Sequence, residues 1–218
     1  MPNPNDPIAV LEFMPTGMYR FKDLRPGEEQ DKYVAAPVVA AAFTQTEHDS
    51  GWLPNNVLRT GYCASGQFYV YFIPKGTHKI TLIHNEKPKI LHVPLPSFVM
   101  VGAGNTHRLA ALKEKDFSLD AEVFLPPLPN VWDQNGICWG SNSPPKVCAE
   151  NAEATWRLFI TSPFNNHLSE NKIKGFKSVC DFLLKLNEKQ RFPYSKLIPT
   201  HGHKMTVDRW VSMAINKT

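Results

Sequence analysis

Between residues 67 and 101 the chain is cut by turn signals at short intervals, and this pattern narrows its choice of fold more than any other. Gln67-Phe-Tyr-Val-Tyr-Phe-Ile73 is aromatic and β-branched, a composition that suits a packed, pleated strand. Lys75-Gly76 supplies a turn. His78-Lys-Ile-Thr-Leu-Ile-His84 then alternates polar and apolar residues over several positions, the period of a half-buried strand. Asn85-Glu-Lys-Pro88 is a second turn. Lys89-Ile-Leu-His-Val93 reads as a third strand and Ser97-Phe-Val-Met-Val101 as a fourth, joined through Val93-Pro-Leu-Pro96. Connections this short predict an antiparallel meander. Phe68, Tyr69, Tyr71 and Phe72 are assigned to sheet core rather than to base stacking, because no basic residues are interleaved with them.

The flanks add helices. Residues 8–22 read as a hairpin around Pro15-Thr16-Gly17, and Pro26-Gly27 ends it. The alanine content of Tyr33–Phe43 predicts a helix over 31–45 with Pro37 near its first turn. A short helix is expected over Pro54–Thr60, and a long connection with room for a short strand or helix over 102–120. Trp156, Leu158, Phe159 and Ile160 sit in a helix expected from Asn151 to Thr161. Ile173, Phe176, Val179, Cys180, Leu183 and Leu186 fall at spacings of three and four, which predicts an amphipathic helix from Lys172 to Gln190. A last helix is expected at 207–215. The class is α+β. The expected organisation is an N-terminal hairpin and helix region over 1–62 packed on the same domain, a core over 63–190, and a C-terminal tail over 191–218.

Charge and cysteine usage weigh against several functions. A formal net charge of +4 with no run of five Lys or Arg lacks the electrostatic footprint of a nucleic-acid binder. No stretch approaches the roughly 18 apolar residues of a membrane span. Met-Pro-Asn-Pro-Asn-Asp-Pro at the start has neither the basic nor the apolar region of a secretory signal. The four cysteines at 63, 138, 148 and 180 form no Cys-x-x-Cys pair and match no zinc template. A reduced, cytoplasmic protein is expected, without cofactor or metal. His201-Gly202-His203 has no matching carboxylate or cysteine pattern and reads as a solvated tail.

One segment carries chemistry. In Phe124-Leu-Pro-Pro-Leu-Pro-Asn-Val-Trp-Asp-Gln-Asn-Gly-Ile-Cys-Trp-Gly140, a turn-forming Pro129-Asn130 and a flexible Asn135-Gly136 lie just ahead of Cys138. That arrangement suits an exposed nucleophile with an amide held nearby. The segment has no clear period and is expected as a loop over the sheet. Cys63, Cys148 and Cys180 are assigned to structure, Cys180 to the apolar face of its helix. Trp139 is read as pinning the loop. Asp133 and Asp120 are candidate bases, and His107 is a residue that the long connection brings toward the site.

The order of these parts resembles ubiquitin-conjugating enzymes, in which a His-Pro-Asn tripeptide precedes the thioester cysteine at the same distance as Asn130 precedes Cys138. Leu125-Pro-Pro-Leu-Pro-Asn130, Cys138-Trp139-Gly140 and Thr161-Ser-Pro-Phe-Asn165 are similar to the prokaryotic ubiquitin-conjugase-like family D, the B protein of PRTRC gene clusters. Here Leu128 stands where the tripeptide has histidine. The resemblance implies a ubiquitin-conjugating-enzyme-like fold, with the N-terminal hairpin and C-terminal tail as additions. It also implies that Cys138 accepts a ubiquitin-like protein as a thioester from an ATP-consuming ThiF-like activating enzyme and passes it to an amine. A JAB-type metallopeptidase is implied in the same pathway. Asn130 would either donate its amide N–H to the oxyanion or fix the loop by bonding backbone. The alternatives are a non-catalytic scaffold that binds a ubiquitin-like protein, a nucleic-acid-associated plasmid maintenance factor, and a cysteine hydrolase.

Overall fold

The computed structural model describes residues 6–27, 30–44, 51–200 and 203–216, and the chain divides into two compact units, Met1–Gly51 and Trp52–Thr218. In the first unit the expected hairpin forms: β1 (Ala9–Phe13) pairs antiparallel with β2 (Met18–Asp23). Gly17 turns the chain at φ 78°, a conformation open to a residue without Cβ. The helix expected over 31–45 is shorter than the alanines suggested. Residues Gln30–Ala35 are instead strand β3, paired with β2, and α1 runs over Ala36–Thr44. Tyr33 and Val34 satisfy their backbone groups opposite Arg20 and Tyr19, and Arg20 Nε donates to Asp31 at 2.9 Å. Pro37 lies in the first helical turn, where a missing N–H is no loss.

The second unit is built on a sheet. β4 (Val57–Cys63), β5 (Gly66–Ile73), β6 (Gly76–His84), β7 (Lys87–Leu95), β8 (Ser97–Ala103), β9 (Thr106–Leu112) and β10 (Val123–Phe124) follow in chain order. Five form one antiparallel sheet in the order β10-β9-β8-β5-β4, while β6 and β7 form a ribbon of their own. All four strands expected between 67 and 101 are present and pair antiparallel. The meander is interrupted in space, however, because β5 lies beside β8 and the β6–β7 ribbon leaves the sheet between them. Proline accounts for part of this. His92 N–H points away from β6 and donates to Asn187 Oδ1 at 2.8 Å. Pro88 and Pro94, at even spacing from His92, sit on that same outer side, where the pairing with β6 needs no donor. Their missing N–H groups also leave this edge of β7 unable to receive a full strand.

Alternation along β5 divides the core. Tyr69, Tyr71 and Ile73 face one side with Phe98, Met100, Leu109 and Phe124. Phe68, Val70 and Phe72 face the other with Val99, Val101, Ala110 and Leu112. α2 (Ala152–Thr161), α3 (Val179–Leu186) and the ribbon cover the first face, with Trp156, Phe159, Phe182 and Leu183 in that core. α4 (Val207–Asn216) covers the second through Trp210, Val211 and Ala214. The aromatic run of β5 is thus core, as expected, and so is Cys180.

Two expectations are overturned here, and a third is made specific. Residues 54–60 are not helical: Val57–Cys63 is an edge strand held by β5, with Thr60 Oγ1 donating to Phe68 O at 3.0 Å. The connection over 102–120, with room for a short strand or helix, holds a strand, β9, paired along its length with β8. The helix expected from Lys172 starts only at Val179. Ile173 bridges Leu197, Gly175 takes φ 79°, and Ser178 caps the true start by accepting from Cys180 N–H at 3.1 Å. Its end is fixed at Asn187 and Glu188, which turn away to bond His92.

Tyr69, Gly102 and His107 are register partners on three adjacent strands. A Cβ at Gly102 would come within 2.5 Å of the Tyr69 ring, which is fully buried. We expect Gly102→Ala to destabilise the protein by about 1–3 kcal/mol through overpacking, read as a lower midpoint in urea unfolding.

Candidate active site

Asn130 and Cys138 are opposed by a hairpin. Asp133, Gln134 and Asn135 form its loop, with Asn135 at φ 67°, the left-handed position that closes a three-residue loop. Trp132 N–H donates to Gly136 O at 2.8 Å, Val131 bridges Ile137, and Cys138 N–H donates to Asn130 O at 2.8 Å. The eight-residue spacing therefore equals the length of a hairpin whose third rung joins the amide residue to the thiol. The expected loop over the sheet is in fact an extension of that sheet. Leu109 N–H donates to Asn135 O and Ile137 N–H to His107 O, each at 2.8 Å, so the second arm runs along β9.

Asn135 and Gly136, expected to be flexible, are anchored. Asn135 is fully buried, and its Nδ2 donates to Leu109 O at 2.8 Å. Gly136 takes part in the bridge to Arg108. The first arm has its own support in Lys172, whose ammonium is buried and donates to Val131 O. Burial pushes that ammonium down to about 8, while the charge of Asp133 pulls it back up.

Asn130 and Cys138 are both half-buried and line one pocket of about 360 Å³. Asn130 sits at φ 58°, a left-handed conformation that asparagine tolerates better than most residues. Its main chain secures the turn: N–H donates to His167 O at 3.2 Å, and O accepts from Cys138. The side-chain amide makes no hydrogen bond among the described residues and stands at the pocket wall. The opposite wall is Ser162, Pro163, Asn165 and His167, which follow α2. Fully buried Phe164 holds that segment by pairing with β6, accepting from Ile83 N–H at 2.7 Å and donating to Thr81 O at 2.8 Å. Leu128 is fully buried in the core.

His167 is the site residue that the sequence reading missed. Its N–H donates to Asn165 Oδ1 at 2.8 Å, and its ring meets Trp132 edge-on at 5.8 Å. The signal was its position two residues beyond the Thr161–Asn165 motif. Asp133 and Asp120 do not line this pocket, and neither do Cys63, Cys148 and Cys180.

Trp139 forms a wall of the Cys138 pocket and of a second cavity of about 550 Å³, on which Arg108, Trp132 and Asp133 also border. Its indole packs edge-on against Phe159 at 6.1 Å and His107 at 5.3 Å, so it pins the loop to the core. His107 comes from β9, the strand within the connection over 102–120. It borders the second cavity, and neither ring nitrogen has a partner among the described residues. Burial pushes it down to about 4. Of the pair around Gly202, His201 lies outside the described residues. Among those described, no helix is long and apolar enough to cross a membrane.

An antiparallel α+β unit with its cysteine on a sheet-anchored hairpin has the parts of a ubiquitin-conjugating-like protein. The sequence profile of prokaryotic E2 family D matches residues 33–200, and the chain belongs to that family. No curated protein and no solved structure matches it.

The buried imidazole sets an acid limit. His107 binds a proton near 6.5 when unfolded and near 4 when folded, so the unfolded state takes up more protons between those values. Stability is therefore full above about pH 6.5 and falls as pH drops toward 4, by about 3 kcal/mol from this group. We expect denaturation midpoints of His107→Leu to depend less on pH across that window than those of the wild type.

Proposed function

We propose that this protein is a conjugating transferase that carries a ubiquitin-like protein as a thioester on Cys138 and passes it to an amine with the help of Asn130. Membership of prokaryotic E2 family D supports a ubiquitin-conjugating-like role in general. The observation that carries the finer reading is the rung itself, where a half-exposed thiol and an uncommitted amide oppose each other on a rigid hairpin and share one pocket.

In the first step the Cys138 thiolate attacks the thioester carbonyl of a ubiquitin-like protein held by a ThiF-like activating enzyme that has consumed ATP. One C–S bond forms and one breaks, and the departing thiolate takes up the proton that Cys138 released. In the second step an amine attacks the Cys138 thioester, and negative charge develops on its carbonyl oxygen. The Asn130 amide is the donor for that charge. Because the main chain alone secures the turn, the side chain is free for this task and needs no reorganisation. A JAB-type metallopeptidase belongs to the same proposed pathway, and a reducing cytoplasm keeps the thiol available. Burial of Leu128, where ubiquitin-conjugating enzymes carry the histidine of their tripeptide, favours a second reading, a non-catalytic scaffold for a ubiquitin-like protein.

A charging assay with a ubiquitin-like protein, its ThiF-like enzyme and ATP separates the two. A shifted band that needs ATP, disappears with thiol reductant and is lost in Cys138→Ala is the expected result. No band, with the partners active on each other, would leave the scaffold. For Asn130→Ala we expect charging to persist while discharge to lysine slows on the order of 100-fold.

A further inference from the structure

Transfer to an amine requires a proton acceptor, since an alkylamine is protonated at neutral pH and its lone pair is unavailable until that proton leaves. The pocket around Cys138 is lined by Asn130, Ser141, Asn142, Ser162, Asn165 and His167 together with apolar and glycine positions. Apart from the thiol, His167 is the one ionisable side chain among the described lining residues. It is exposed to solvent, so it can exchange protons with water.

Its position is fixed from three sides. The Asn165 side chain accepts from its N–H, its carbonyl receives the Asn130 N–H, and Trp132 stands edge-on to its ring. The residue is thus tied by one hydrogen bond to the backbone of the very residue that opposes Cys138. Of the other charged groups nearby, Asp133 lies on the hairpin loop and the Lys172 ammonium is occupied at Val131 O, and neither lines the pocket.

We propose that His167 is the base for aminolysis, and that the neutral amide-lined pocket between it and Cys138 is the subsite for the acceptor, a primary amine on a flexible chain such as a lysine side chain. The inference rests on Cys138 being the thioester carrier. An imidazole nitrogen takes a proton from the ammonium, and the freed lone pair attacks the thioester carbon. The C–N bond forms, the C–S bond breaks, and Cys138 leaves as thiolate. The amide nitrogen loses its surplus proton to the thiolate or to water, and the imidazolium returns its own to solvent. A carboxylate-free pocket suits this sequence, because it presents no anion that would hold the acceptor as ammonium.

The test loads Cys138 of the full chain with a short peptide by exchange from a small peptide thioester, so that no modifier or activating enzyme is needed, and follows discharge by intact mass. With free lysine as probe, His167→Ala should discharge on the order of 100-fold more slowly than wild type, at equal loading. Hydroxylamine, which is already neutral at pH 7, should discharge both proteins at similar rates. His167→Gln, which keeps a hydrogen-bonding side chain, should be as slow as His167→Ala. Equal lysine rates in His167→Ala and wild type, or recovery in His167→Gln, would overturn the assignment while leaving Cys138 as carrier. Failure of Cys138 to load at all would overturn both.

Discussion

Two main-chain hydrogen bonds, Leu109 N–H to Asn135 O and Ile137 N–H to His107 O, make the reactive segment part of the sheet. A loop carrying a nucleophile would ordinarily move with solvent, and a donor aimed at a developing charge is effective only when it is held still. Here the register of β9 sets the register of the hairpin, and the hairpin sets the rung on which Asn130 meets Cys138. Asn135 is the joint. It supplies the left-handed turn and also a buried side-chain bond to Leu109, so one residue fixes both the fold of the hairpin and its seat on the sheet.

Beneath that seat the packing is unusual in its chemistry. Tyr69, Gly102 and His107 occupy one row across three strands, and the absence of a side chain at Gly102 lets the phenol ring lie toward the imidazole, with ring centroids 6.2 Å apart. His107 in turn meets Trp139, the neighbour of the thiol. Burying an imidazole and an ammonium this close to the site carries a desolvation penalty. Lys172 offsets part of it through Val131 O, and His107 remains neutral.

Much of this was legible from local pattern. The strands of 66–101, the last helix and the burial of Cys180 follow from alternation and spacing that each segment carries within itself. The misread segments are those whose conformation is imposed by a partner. Val57–Cys63 carries no clean apolar alternation of its own, and pairing with β5 makes it a strand. Ile173 has a helical spacing to Phe176 and Val179, yet Gly175 and the bridge to Leu197 prevent the turn. The candidate site divides the same way. Asn130 and Cys138 are close in sequence, and their spacing encodes their rung. His167 arrives through the pairing of Phe164 with β6, a contact that no local pattern reports.

Trp139 is a party wall. The thiol pocket lies on one side of the indole and a larger cavity beside Arg108 and Asp133 on the other, so neither space can be reshaped at this residue alone. A smaller side chain at 139 merges two volumes and also removes the edge contacts of His107 and Phe159. Variation here is therefore constrained three times over, and a change at this position would be read simultaneously in access to the sulfur, in the hydration of a buried imidazole and in the seating of α2.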